Sequence, residues 1–143
     1  MDLVKVVSQK SFDFLSASQR HYADAAMLQA NARLPNASQL FGLSAECGVK
    51  ALIEKILSQP LPKKFYKHAN NLLPDLQILA NGRQKAKYLA MIGRFKAFKT
   101  WDIDHRYRAE TEIPLTEYMA DWVDASREVQ NMLTQAYLDG VFT

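Results

Sequence analysis

The strongest constraint on this chain is the return of apolar residues at three- and four-residue intervals along most of its length. Only five glycines and five prolines interrupt that pattern, and they fall mostly between the periodic segments. A sequence rich in Ala, Leu, Lys and Gln with so few breakers favours helix. Its 143 residues suit one domain, 1–143, with a single core. At 48% hydrophobic and 23% charged residues, wholesale disorder is excluded. The expected fold is all-α, an up-and-down bundle of about five helices.

The first helix spans Ser8 to Arg33, with Phe12, Leu15, Tyr22 and Ala26 on its apolar side and Gln19 in the stripe. Leu34-Pro35 ends it, since the residue before proline avoids the helical region. Asn36 caps a second helix that runs to Ser58 and turns Ala37, Leu40, Phe41, Ala45, Gly48, Leu52 and Ile56 inward. Small residues at Ser44, Ala45, Gly48 and Ala51 let a neighbouring helix come close. Gln59-Pro60-Leu61-Pro62 is a connector. The third helix is short, Asn70 to Ala80, with Pro74 in its first turn and Asn81-Gly82 as its stop. The fourth spans Gln84 to Lys99, with Tyr88, Met91, Ile92, Phe95 and Phe98 inward. Trp101 to Pro114 reads as a long loop. Thr116 caps a fifth helix whose stripe is Tyr118, Trp122, Ala125, Val129, Met132, Leu133, Ala136 and Tyr137, ended by Asp139-Gly140. The first two helices, joined by a tight turn, are expected to be antiparallel. There is no internal repeat.

Cys47 is the only cysteine, which rules out an internal disulfide and argues against a cysteine-based zinc site. Its neighbours Ala45 and Gly48 favour a small buried residue. One unpaired thiol fits a reducing compartment. The first residues lack the apolar core of a signal peptide, and no run approaches the ~18 apolar residues of a membrane span. The expected location is the cytoplasm, with no membrane partner.

The net charge of +3 conceals a segregation. Lys63, Lys64, Lys67, Arg83, Lys85, Lys87, Arg94, Lys96 and Lys99 face a single acid, Asp75, giving +8 between Lys63 and Lys99. From Ala109 onward, Glu110, Glu112, Glu117, Asp121, Asp124, Glu128 and Asp139 against Arg127 give −6. Either the basic fourth helix lies beside the acidic fifth and the two neutralise each other, or Lys63, Lys64, Lys67, Lys85, Lys96 and Lys99 form an open surface for phosphates. The choice depends on how the helices are rotated.

His21, His68 and His105 show no metal-ligand spacing, so neither a metal nor a cofactor is expected. Glycine-rich phosphate loops and G-x-S-x-G motifs are absent. The densest polar cluster is Trp101-Asp102-Ile103-Asp104-His105-Arg106-Tyr107-Arg108. His105 with Arg106 and Arg108 could perform acid–base work on a phosphodiester or bind phosphate. In the structural alternative Trp101 and Tyr107 anchor the loop, and Asp102 and Asp104 pair with Arg106 or Arg108. Glu46 and Lys50 stand four apart in the order that suits a helical ion pair, one that could reach this loop.

Three stretches together resemble the HEPN family (higher eukaryote and prokaryote nucleotide-binding domains). Ala37-x-x-Leu40, followed by Ala45-Glu46-x-x-x-Lys50-Ala51-Leu52, is similar to the family's helical hairpin. His68-Ala69-Asn70-Asn71-Leu72-Leu73-Pro74-Asp75-Leu76 is similar to the H-x-L-x-x-L region at the third helix. Asp104-His105-Arg106-Tyr107-Arg108 looks like the R-Y segment before the last helix. The resemblance implies a helical bundle, often dimeric, tied to nucleotide binding or RNA cleavage. It also implies a nucleotidyltransferase-type partner in toxin–antitoxin or defence systems. Ribonuclease members carry R-x(4–6)-H, and here no histidine has an arginine five to seven positions before it. The family's nuclease activity therefore does not carry over.

The leading expectation is a non-catalytic HEPN-like module that binds nucleotide or RNA phosphates, a protein partner, or both. Its candidate ligand-binding residues are Glu46, Lys50, Lys63, Lys64, Lys67, Lys96, Lys99, Asp104, Arg106 and Arg108. One alternative is a divergent ribonuclease using His105, Arg106 and Arg108. The other is a purely structural protein-interaction subunit.

Overall fold

A computed structural model describes residues 12–79 and 85–140. The fold is an all-α bundle whose described residues form five α-helices and no strand. They are α1 (Phe14–Ala30), α2 (Leu34–Leu57), α3 (Leu73–Leu79), α4 (Lys85–Phe95) and α5 (Leu115–Leu138).

Asp13 starts α1, its carboxylate accepting the Ser16 N–H at 2.9 Å. The expected stretch from Ser8 to Ser11 lies outside the described residues. At the other end the Asn31 side chain donates to the Met27 carbonyl, and Ala32 takes φ 59°. The chain thus reverses before Pro35 is reached. Pro35 does not end α1. It sits in the first turn of α2, where its missing N–H leaves nothing unpaired. Asn36 is consequently inside the helix, not its cap. The left-handed Ser58 closes α2.

Residues assigned to the start of the third helix instead form a 3-10 turn, Ala69–Asn71, ahead of α3. Pro74 occupies the first turn of α3. The expected stop at Asn81-Gly82 lies outside the described residues. The fourth helix changes to 3-10 geometry over Lys96–Thr100. The following connector holds two more 3-10 turns, Ile103–Tyr107 and Glu110–Glu112. Thr116 lies within α5, and Pro114 occupies the cap position.

Helix α2 is the axis of the molecule. Nearly all its residues from Ala37 to Ile53 are buried, so it is covered on all sides and not along one stripe. Antiparallel α1 covers one side. Ser18 and Ser44 exchange hydrogen bonds, each hydroxyl donating to the other's carbonyl at 2.7 Å. From α5, Gln130 donates to both hydroxyls at 2.8 and 3.2 Å. The close approach needs Gly48, where a Cβ would meet Val129 at 2.6 Å and Ser18 at 2.9 Å. The face of α1 that packs inward carries Leu15 and Tyr22, as expected, together with Ser18 and Ala25, whereas Phe12, Gln19 and Ala26 of the expected stripe are exposed.

Helix α4 packs on α5 through Tyr88, Met91, Ile92 and Phe95, all buried as expected. The basic helix therefore does lie beside the acidic one. Their shared surface is apolar, and among the described side chains, which do not include those of Lys85 and Lys87, no ion pair joins them. No helix among the described residues is long and apolar enough to cross a membrane.

Candidate functional site

Glu46 lies mid-helix in α2 and is 5% exposed. A carboxylate that deep must be satisfied by partners, and three are present. Lys50, one turn on, donates to Oε2 at 3.1 Å. The His68 Nδ1 stands 3.1 Å from Oε1, and the Ala69 N–H donates to the same oxygen at 2.9 Å. The pairing of Glu46 with Lys50 was legible as an i, i+4 spacing. Its extension to the Trp101–Arg108 loop is not what forms. Glu46 turns to the 61–69 connector instead.

That connector hangs from α2 by two carboxylates. Glu54 accepts the Leu61 N–H at 2.9 Å, and Glu46 accepts the Ala69 N–H. Between them Phe65 is buried and pins the middle. Lys63 and Lys64 lie with it in a short 3-10 turn, exposed to solvent. The Lys64 ammonium sits 5.0 Å from the centre of the Phe65 ring. Tyr66 is 57% exposed, and Lys67 is bound to Asp75 at 2.9 Å.

Under this connector is a cavity of about 260 Å³ lined by Phe12, Phe14, Lys50, Leu61, Tyr66, Lys67 and His68. Lys50, only 8% exposed, presents its ammonium there, 5.8 Å from the Phe14 ring centre. Of the aromatic walls, Phe12 stands in the apolar stripe expected for the first helix, whereas Phe14 and Tyr66 carry no signal at helical spacing. They come from the start of α1 and from the connector, and meet only because α1 folds back along α2.

The second cluster is built differently. The Trp101 indole is fully buried and donates to the Ser38 carbonyl at 3.0 Å. It lies against Gly42, where a Cβ would clash with the edge of its ring. Gln39 donates to the Asp102 carbonyl at 2.8 Å. Trp101 is an anchor, as expected, but Tyr107 is 74% exposed and is not. Asp102 accepts the Asp104 N–H at 2.8 Å and does not pair with an arginine. The Arg106 guanidinium lies 4.7 Å from the Tyr107 ring centre, and Arg108 stands 3.9 Å from Glu112. His105 packs near Trp122, with ring centres 6.0 Å apart, and its buried Nδ1 has no hydrogen-bond partner among the described residues.

The two clusters are not one site. The loop docks on α2 at Ser38 and Gln39, seven or more residues from Glu46, or about 10 Å of helical rise. Lys96 and Lys99 are exposed in the 3-10 turn that leads to the loop. Arg83 lies outside the described residues, as do the side chains of Lys85 and Lys87. Among the described residues no group of three His, Cys, Asp or Glu side chains could hold a metal ion.

Burial pushes the Cys47 thiol up to about 11, with the nearby Glu46 carboxylate adding to the effect. Burial also lowers the His21 imidazole, aided by Arg20. Fold and site together define an all-α bundle with a basic, aromatic connector over a small cavity. Comparison with known proteins adds nothing to this: no family model, curated protein or solved structure matches the chain.

Proposed function

We propose that this protein is a non-catalytic HEPN-like binding module for the phosphates of single-stranded RNA or nucleotides, engaged at the 61–69 connector. One observation carries the reading. Lys63, Lys64, Tyr66 and Lys67 are exposed on a single short connector that buried Phe65 and two carboxylates hold in place. Cations interleaved with exposed aromatic rings suit single-stranded nucleic acid, whose phosphates need charge and whose bases need flat faces. Lys63 and Lys64 supply that charge, since among the described residues neither has a carboxylate within ion-pair distance.

The same geometry favours binding over cleavage. His68 is committed to Glu46, and His105 packs near Trp122 while the Arg106 guanidinium lies over Tyr107. A filter-binding titration with single-stranded RNA tests the reading. Saturable binding at low salt that weakens steeply as salt rises is expected. Absence of binding at low salt would contradict it.

A further inference from the structure

The cavity and the connector differ in charge. Along the cavity wall, Lys50 is paired with Glu46 at 3.1 Å, whose other oxygen faces His68, and the partly exposed Lys67 is paired with Asp75 at 2.9 Å. Outside, Lys63 and Lys64 have no carboxylate partner among the described residues. A phosphate placed there would find both lining lysines already paired with carboxylates, and its desolvation would be poorly matched. A neutral ring would not meet that penalty. Phe12, Phe14, Leu61 and Tyr66 supply apolar and aromatic walls. The buried Lys50 ammonium has three N–H groups and spends one on Glu46, so it has donors left for an acceptor atom on the ring. At about 260 Å³ the cavity is smaller than the ~300–1,000 Å³ of sites for drug-sized ligands. That leaves room for one ring system.

We propose that the cavity receives one unstacked nucleobase of a single-stranded RNA, with a ring acceptor on Lys50, while the adjoining phosphates lie outside on Lys63 and Lys64. This rests on the reading of the connector as a phosphate-binding element, and adds to it a base pocket and an orientation.

The two claims separate when the full chain is titrated with octauridylate and with an abasic oligomer of the same length, followed by fluorescence anisotropy. Wild type is expected to bind octauridylate more tightly than the abasic strand. Tyr66→Ala, on an exposed side chain, is expected to weaken octauridylate by about ten-fold while leaving the abasic strand unchanged. Lys63→Ala/Lys64→Ala is expected to weaken both strands. If Tyr66→Ala leaves the ratio of the two affinities at its wild-type value, or if wild type shows no preference for octauridylate, the base pocket is wrong and the phosphate reading stands. If wild type binds neither strand at low salt, both fall.

Discussion

Glu46 and His68, 22 positions apart in sequence, meet with Oε1 and Nδ1 at 3.1 Å. The carboxylate that fixes Lys50 inside α2 thereby also fixes the connector that carries the exposed cations. The His68 end of the connector thus depends on one buried acid.

Replacing that acid tests the dependence. Glu46→Gln removes the negative charge and leaves the Lys50 ammonium buried against a neutral amide. Loss of one member of a buried ion pair costs about 3–5 kcal/mol. Urea denaturation followed by circular dichroism should show a loss of that size. A loss below about 1 kcal/mol, the scale of an exposed pair, would show that the carboxylate does not hold this region.

Gly42 gives the second prediction. Its missing Cβ is the space the Trp101 indole occupies. Gly42→Ala should displace the ring and cost about 1–3 kcal/mol, with tryptophan emission shifting to longer wavelength. Unchanged emission and stability would show that the loop is anchored some other way.

Cys47 should be inert in the folded protein. Its thiol is raised to about 11 from 9.0, so the thiolate that reacts with disulfide reagents is scarce at pH 8. The sign for stability follows from the same shift. The folded state favours the neutral thiol, so the contribution is present below pH 9 and is lost as pH rises through about 11. Labelling at pH 8 should proceed only after denaturant is added, and Cys47→Ala should flatten the alkaline loss relative to wild type. Rapid labelling of the native protein would contradict this.

His105 separates binding from cleavage. Single-stranded RNA incubated with wild type or with His105→Ala should remain intact to the same extent. Cleavage by wild type that His105→Ala abolishes would favour the ribonuclease alternative.

Much of the fold was legible because period-3.6 patterns report burial directly. Tyr88, Met91, Ile92, Phe95 and Phe98 were read as inward and are buried. Helix α2 hid its role because a helix buried all round shows no polar face to mark its orientation. The inward face of α1 is legible at Leu15 and Tyr22, which pack against the core, but not at Ser18 and Ala25, which report packing by being small, not apolar. Prolines misled at Pro35, since the same residue that ends one helix fits the first turn of the next.

The site was legible only in part. Glu46 and Lys50 are one turn apart, so spacing showed their pairing. Their link to His68 and the meeting of Phe12 with Tyr66 at the cavity cross long stretches of sequence, and no local pattern records such contacts. The acidic and basic helices lie side by side as charge segregation allowed. The connector cations that have no carboxylate partner among the described residues, Lys63 and Lys64, could be told from the others only with the ion pairs in place.

The central claim is that these two connector lysines hold phosphates. It is tested most directly by the salt dependence of octauridylate affinity for wild type and for Lys63→Ala/Lys64→Ala. The log of the association constant should fall linearly with the log of salt concentration, by about 0.7 per phosphate contacted, and the double variant should lower that slope by roughly one to two contacts. An identical slope in the two proteins, or no binding by wild type at low salt, would contradict the account.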